Sequence, residues 1–77
     1  MRENFKEEVA SELRSLRAKF NFTQKEVAEK AGIDVMTVTR YENNSTSMQL
    51  DMIEKILSAY ELKPSIFFNM VTANMQK

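Results

Sequence analysis

The stretch TQKEVAEKAGIDVMTVTRYEN, from Thr23 to Asn43, contains two short helical patterns separated by Gly-Ile-Asp. The first pattern opens with TQKE, in which the Thr23 hydroxyl can accept from the backbone N–H of Glu26 while the Glu26 carboxylate reaches back to the amide of Thr23. Gly32, the one glycine of the chain, stands where the first helix needs a left-handed C-cap and where a side chain would clash. The stretch therefore predicts two helices joined by a tight turn.

The second helix of this stretch is predicted to run from Val35 to about Asn43, with Asp34 placed to cap it. Val38 and Tyr41 lie three positions apart and form its inner, apolar side. The opposite side is left for a partner outside the helix pair and carries Asp34, Val35, Met36, Thr37, Thr39 and Arg40. Two helices joined by a turn that contains Gly form a helix-turn-helix motif, whose second helix can enter a major groove.

The flanking sequence also predicts helices, because it shows no strand-like alternation of apolar and polar residues and little Gly or Pro. A first helical stripe consists of Phe5, Val9, Leu13, Leu16 and Phe20. After the polar loop NNSTS, a fourth helix is indicated by Leu50, Ile53, Ile56, Leu57 and Tyr60. Pro64 then stands at the first position of a fifth helix, at about 64–75. We expect an all-α fold: one compact five-helix domain over residues 1–77, with the helix-turn-helix at about 23–43.

The composition argues against several classes of function. The chain has no Cys and no His, which excludes a disulfide framework and removes the ligands of the usual soft metal sites. Without these residues no nucleophile–base set for catalysis can be assembled, and the carboxylates are scattered over solvent faces. No segment approaches the roughly 18 consecutive apolar residues of a membrane span. We therefore expect a cytoplasmic protein that is not an enzyme and binds no metal, cofactor or membrane.

The formal net charge is zero, but the charges are distributed unevenly along the chain. Residues 13–40 hold six basic and three acidic side chains, whereas residues 1–12 hold two and four, and residues 41–77 hold three and four. Zero net charge taken alone argues mildly against a nucleic-acid partner, whose binders tend to be basic. The local excess of positive charge, in and just before the helix-turn-helix, favours one.

The sequence FTQKEVAEKAGIDVMTVTRYENN, from Phe22 to Asn44, resembles the phage-repressor helix-turn-helix family, also called lambda-repressor-like, Cro-like or XRE-type. The pattern consists of Thr-Gln, Ala, Gly, Ile and Glu-Asn in order, and LDMIEKILSAYELKPSIFF is similar to the family's fourth helix and the start of its fifth. The resemblance covers about residues 9–68. It implies a sequence-specific DNA-binding transcription regulator. Asn44 stands where the family usually has Gly, and Asn tolerates the left-handed conformation well.

The resemblance also implies roles for individual residues. The positions that face base edges are Val35, Met36, Thr37 and Arg40. Arg40 could bind guanine O6 and N7 bidentately, whereas Val35 and Met36 can offer only apolar contact. Contacts to the DNA backbone are implied for Thr23, Gln24, Thr39, Asn43 and Asn44. Arg17 and Glu42 match a buried ion pair that ties the first helix to the end of the third in some members.

The fifth helix carries more large apolar residues than one face of so small a domain can bury. We expect Phe67 to fill the core and the others to form a homodimer interface, namely Ile66, Phe68, Met70, Val71 and Met75. The alternative is that the tail folds back as extra core. Two-fold partners would set two recognition helices about one DNA turn, about 34 Å, apart on a palindromic operator. In length and in its Phe-Phe region the chain is similar to the small, dimeric controller proteins of restriction–modification systems.

Other functions remain open at this stage. The competing class is a protein-interaction module, such as an antitoxin-like or adaptor domain, which zero net charge and the apolar Val35–Met36 pair support. Two further possibilities are that the chain is a phage-type repressor or that it is the DNA-binding piece of a longer regulator. Because no second domain is predicted, we expect no small-molecule ligand, and control by protein concentration through dimerisation instead.

Overall fold

The computed structural model describes residues 4–76, so that the ends of the predicted 1–77 domain lie outside the described residues. Within this range the chain forms helices and no strand, which confirms the all-α prediction. The helices are α1 (Phe5–Phe20), α2 (Gln24–Ala31), α3 (Val35–Glu42), α4 (Leu50–Ser58) and α5 (Pro64–Met75). The α2–α3 pair is the predicted helix-turn-helix. None of these helices combines the length and the apolar character that a bilayer crossing requires.

The helices begin where the sequence supplies partners for free backbone N–H groups. At α1, the Asn4 side chain accepts from the N–H of Glu7 at 3.2 Å. At α2, the predicted capping box is present: Thr23 Oγ1 accepts from the N–H of Glu26 at 3.0 Å, and Glu26 Oε1 accepts from the N–H of Thr23 at 2.8 Å. Pro64 occupies the first turn of α5, where no N–H is needed.

The helices α1 to α4 end in one shared backbone arrangement, in which a residue in the left-handed conformation follows the helix. These residues are Asn21 (φ 57°), Gly32 (φ 72°), Asn44 (φ 55°) and Glu61 (φ 53°). The next residue then donates its N–H to a carbonyl five positions back, as in the Schellman motif. The four bonds are Phe22 to Arg17 (3.1 Å), Ile33 to Ala28 (3.0 Å), Ser45 to Arg40 (3.0 Å) and Leu62 to Leu57 (3.2 Å). Each helix is thereby stopped at a defined residue.

Gly32 adopts the predicted left-handed C-cap, with a φ of 72°. Apart from Gly32 itself and its two chain neighbours, no residue among 4–76 would place an atom within 4 Å of an added Cβ. The requirement for glycine here comes from the backbone, because φ of 72° is costly for a residue with a side chain. Asn44 fills the equivalent place after α3, as the tolerance of Asn for this conformation led us to expect.

The core lies between all five helices. From the apolar patterns of the first, third and fourth helices, several residues are buried in this core, among them Val9, Leu13, Leu16, Val38, Tyr41, Ile53 and Ile56. The ends of the α1 stripe are different, since Phe5 and Phe20 remain 45% and 43% exposed. The small side chain of Ala28 is buried in α2, which packs against both α3 and α4. The buried hydroxyl of Tyr41 accepts from the N–H of Gln49 at 2.9 Å and so fixes the start of α4 against α3.

Candidate nucleic-acid interface

Helix α3 is amphipathic, with one face in the core and the other in solvent. Val38 is fully buried, and Tyr41 and Glu42 are buried beside it. On the outer face, Val35 and Met36 are 46% and 55% exposed. Arg40 is also exposed on α3, while Thr37 is half-buried. The first two turns of α3 therefore present two apolar side chains and one guanidinium to the outside, with the rest of the domain packed behind them.

Asp34 occupies the N-cap position of α3, but it does not cap the helix as we expected. Its side chain makes no hydrogen bond to the amides of the helix that the structure describes. Its backbone carbonyl does accept from the N–H of Thr37 at 3.1 Å, which begins the helical pattern. The Asp34 side chain is exposed, so a negative charge borders the N-terminus of α3.

The two helices of the motif and α1 are held together by a hydrogen-bonded network centred on the Glu42 carboxylate. Arg17 Nε donates to both carboxylate oxygens, at 3.0 Å to Oε1 and 2.8 Å to Oε2. The Gln24 amide nitrogen donates to Glu42 Oε1 at 3.0 Å. Thr39 Oγ1 in turn donates to Gln24 Oε1 at 2.7 Å. The network thus joins one residue of α1, one of α2 and two of α3.

Two further contacts hold this network in place. Arg17 Nη1 donates to the carbonyl of Phe22 at 3.2 Å, which ties the guanidinium to the α1–α2 connection. Arg14 Nη1 donates to the backbone carbonyl of Glu42, at the C-terminal end of α3. A cation at a helix C-terminus is favourable because the unpaired carbonyls carry partial negative charge. Arg14 was not singled out from the sequence, although its position three residues before Arg17 on the same helix is a usable signal.

The residues predicted to touch the DNA backbone divide into two groups. Gln24 and Thr39 lie together in the network and are only half-buried. Thr23 stands at the start of α2 and already uses its N–H and its hydroxyl oxygen in the capping box. At this end of α2 the backbone dipole favours an anion.

Asn43 and Asn44 lie at the opposite end of α3 and border a polar cleft that Glu7, Glu8 and Arg14 also line. Asn43 is exposed, and its N–H caps α3 by donating to the carbonyl of Thr39 at 3.0 Å. The Asn44 Oδ1 atom is buried and finds no hydrogen-bond donor within the described chain. The two carboxylates on the far side of the cleft would repel a phosphate. Sequence analysis did not anticipate this acidic edge, because Glu7 and Glu8 are distant from Asn43 along the chain.

Behind the helix-turn-helix, an aromatic cluster borders the ion pair. Phe20, Phe22 and Tyr60 contact one another with ring centroids 5.1 to 5.8 Å apart, and the Lys30 ammonium lies 5.2 Å from the Phe22 ring. Burial, together with the negative charge of Glu42, raises the pKa of Tyr60 to about 12. The buried Tyr60 hydroxyl has no hydrogen-bond partner among residues 4–76. Tyr60 therefore contributes apolar packing beneath the network, while its hydroxyl remains unsatisfied.

The predicted dimer surface on α5 requires one correction. Val71 is fully buried in the core, where Phe67, one helical turn earlier on the same face, is buried too. Val71 is therefore not available to a second protein chain. For this residue the alternative is correct, in which the tail of the chain folds back and adds to the core. The other predicted residues are accessible: Ile66 is 48% exposed, and Phe68, Met70 and Met75 are half-buried. Phe68 stacks on the exposed Phe5 of α1, with ring centroids 5.9 Å apart.

Comparison with known proteins places this geometry in a family. A helix-turn-helix family model matches residues 13–67, from the second half of α1 to the first turn of α5. Over 59 residues the chain is 32% identical to the antitoxin HipB of Escherichia coli O6:H1 (strain CFT073). This match covers 77% of the present chain and 63% of HipB, so the chain spans somewhat less than two thirds of that relative.

Solved structures of the restriction–modification controller protein C.Esp1396I share the fold. The wild-type protein superimposes with a TM-score of 0.89 at 22% identity, covering 99% of this chain and 100% of the controller protein. The C.Esp1396I tetramer in complex with its natural 35 base-pair operator gives a TM-score of 0.90, also at 22% identity, over 99% and 100% of the two chains. At this level of identity the likeness establishes the fold. The match of the family model over residues 13–67 shows that the chain belongs to the lambda-repressor-like (XRE-type) helix-turn-helix family.

Proposed function

We propose that this protein is a sequence-specific transcription regulator that binds a palindromic DNA operator as a homodimer, with α3 in the major groove. The observation that carries the proposal is the division of α3 between core and solvent. Val38 and Tyr41 anchor the helix in the body of the domain, whereas Val35 and Met36 project outward. A recognition helix must present its N-terminal side chains to base edges in this way.

The exposed residues of α3 suit a small number of base contacts. Arg40 offers a planar pair of donors to guanine O6 and N7, and Val35 and Met36 offer apolar contact. A phosphate that approaches this face can accept hydrogen bonds from the backbone N–H groups at the N-terminus of α2 and from the second N–H of the Gln24 amide. Few of these groups are charged, so that affinity should come from a combination of modest contacts repeated in two half-sites.

The homodimer is supported by the outer face of α5. This helix contains no charged residue, and Ile66 projects from it into solvent. Elsewhere on the domain, Phe68 lines an apolar groove with the exposed Phe5 of α1 and Leu50 of α4. An exposed apolar patch of this kind is typical of an interaction surface, and a two-fold dimer buries the same patch on both chains. The operator-bound tetramer of C.Esp1396I makes control of restriction–modification genes one specific form of the proposal, and a phage-type repressor is another.

The proposal is tested by selecting double-stranded oligonucleotides from a random library with the purified protein. We expect recovery of a site with two-fold sequence symmetry, and an affinity that falls about tenfold or more between about 50 mM and 200 mM salt, because each phosphate contact releases counterions. Recovery of no sequence, or binding that is insensitive to salt, contradicts the proposal. A selected site without symmetry would contradict only the palindrome.

A second function is favoured by one observation, the similarity to the antitoxin HipB. In this case the same helices would bind a protein partner as part of a toxin–antitoxin pair. The two functions are separated by gel retardation of a DNA fragment from upstream of the gene, with and without the products of the neighbouring genes. Retardation by the protein alone supports the regulator, and retardation that requires a neighbouring protein supports the antitoxin.

A further inference from the structure

We propose that Thr39 is a positioning residue, which acts on the DNA through Gln24 and does not itself bind a phosphate. This proposal rests on the DNA-binding function proposed above. It reverses the role that family resemblance implies for Thr39. The proposal follows from the hydrogen-bond donors available in the network around Glu42, and it makes Gln24 the side chain of this pair that reaches the DNA backbone.

The Thr39 side chain has no donor left to offer. A hydroxyl group has one proton, and that of Thr39 is directed to Gln24 Oε1 at 2.7 Å, with the carbonyl of Val35 a second acceptor at 3.1 Å. The oxygens of a DNA phosphate are ionised and accept hydrogen bonds only. A direct contact between Thr39 and a phosphate would therefore require the bond to Gln24 to break.

The Gln24 side chain, by contrast, retains a donor and has a defined orientation. One of its two amide protons is used by Glu42 Oε1 at 3.0 Å, and the other has no acceptor among residues 4–76. A flipped amide would place Gln24 Oε1 against the Glu42 carboxylate, where two acceptors repel each other. The bond from Thr39 and the charge of Glu42 thus select the same orientation of the amide.

The carboxylate that orients Gln24 is itself fixed by the fold. Glu42 is 3% exposed, and Arg17 holds both of its oxygens within 3.0 Å. The Gln24 amide is therefore ordered before DNA arrives, which reduces the conformational entropy lost on binding. Removing the Thr39 hydroxyl releases one of the two restraints on the amide, and the free N–H then points toward a phosphate for a smaller fraction of the time.

The test is a double-mutant cycle on the full chain with the duplex selected from the random library. We expect Gln24→Ala to weaken binding about tenfold, the usual size for a hydrogen bond to a charged group. Thr39→Val should weaken it about fivefold, and the double variant about tenfold, not the roughly fiftyfold product of independent contacts. Thr39→Ser, which restores the hydroxyl, should bind like the unmodified protein. Thr39→Ala replaces Thr39→Val in the cycle if the valine variant does not fold.

A second readout separates positioning from a general effect on folding. Single phosphates of the selected duplex are replaced by neutral methylphosphonates, and the phosphate whose replacement weakens the unmodified protein but not Gln24→Ala is that of Gln24. Thr39→Val should lose sensitivity at this same phosphate. Additive effects in the cycle, unchanged binding by Thr39→Val, or undiminished sensitivity of Thr39→Val at the Gln24 phosphate would each overturn the proposal. Failure to select any duplex would instead contradict the DNA-binding function itself.

Discussion

The guanidinium group of Arg17 in α1 lies 2.8 Å from the carboxylate of Glu42 at the end of α3, across 25 positions of the sequence. This ion pair is asymmetric, because the Arg17 side chain is 28% exposed while that of Glu42 is 3% exposed. Glu42 thus depends on its partners to compensate for the loss of solvent, and these partners come from α1 and α2. The Glu42 carboxylate thus holds the C-terminal end of α3 against α1, and it also orients Gln24 at the proposed DNA surface.

Replacing Arg17 by Ala should lower the free energy of unfolding by about 3 kcal/mol, since it leaves a buried carboxylate without its strongest partner. Urea denaturation monitored by circular dichroism measures the change. The double variant Arg17→Met with Glu42→Leu should lose less than the sum of the two single variants, because it leaves no uncompensated charge. Lys19→Ala, an exposed substitution in the same helix, serves as the control and should cost less than about 0.5 kcal/mol. A cost for Arg17→Ala no larger than that of the control would contradict the assignment.

The left-handed residues after the helices predict opposite effects at two positions. Gly32→Ala should destabilise the protein by about 1 kcal/mol, through backbone strain alone, because there is open space for the methyl group. Glu61→Gly should stabilise it by about 0.5 kcal/mol, since Glu61 adopts a φ of 53° that glycine adopts more readily. Thermal unfolding of the two variants beside the unmodified chain checks both. If both substitutions changed the stability in the same direction, the explanation from the left-handed backbone conformation would be refuted.

Tyr60→Phe should stabilise the protein by about 1 kcal/mol at neutral pH, because it removes a buried hydroxyl that has no partner within residues 4–76. The pKa of Tyr60 is raised from 10.0 in an unfolded chain to about 12 in the fold. The stabilisation that accompanies this raised pKa is complete below pH 10 and is lost as the pH rises to about 12. Unfolding curves at several pH values from 9 to 12 should therefore fall more steeply for the unmodified protein than for Tyr60→Phe. Parallel curves would show that Tyr60 ionises equally well in both states.

Ile66→Ser should weaken self-association about thirtyfold, since each chain of the proposed dimer loses an apolar side chain that is half exposed in the protomer. Met36→Ser removes a similarly exposed apolar side chain from α3 and should leave self-association unchanged. Sedimentation equilibrium measures both dissociation constants. Val71→Ala should act differently from either variant, lowering the stability of the protomer by about 2 kcal/mol because it opens a cavity in the core. If Ile66→Ser associates as strongly as the unmodified chain, α5 is not the dimer surface.

Arg40→Ala should relax the sequence preference at one base pair of each half-site, with a loss of about 1–3 kcal/mol for each lost bidentate contact to guanine. Fluorescence anisotropy with the selected duplex and with single-base variants of it measures the preference. Lys63→Ala, which removes the same charge at the start of α5, is the matched control and should leave the preference unaltered. A uniform loss of affinity for all duplexes would assign Arg40 to the DNA backbone.

Much of the fold could be predicted because it depends on interactions between residues that are close in sequence. The capping box of Thr23 and Glu26, the left-handed residue at Gly32 and the apolar spacing of α1 and α3 each involve residues within one or two helical turns. The left-handed conformation of Asn44 was expected from the family resemblance, because the family usually has Gly at this position. Local reasoning failed where local patterns allow more than one outcome, as for Asp34, which occupies the cap position without using its carboxylate.

Because periodicity and capping depend on neighbouring residues, the sequence was enough to predict the five helices, the ends of α2, α3 and α5, and the outward face of α3. The pairing of the polar groups and the exposure of the surfaces follow instead from how the helices pack against one another. This packing buries Val71 and exposes Ile66 on one helix, brings Glu7 and Glu8 to the cleft of Asn43, and joins Thr39 to Gln24 through the surroundings of Glu42. Hydrogen bonds and burial of this kind depend on the distances between helices, which a repeating pattern along one chain does not specify.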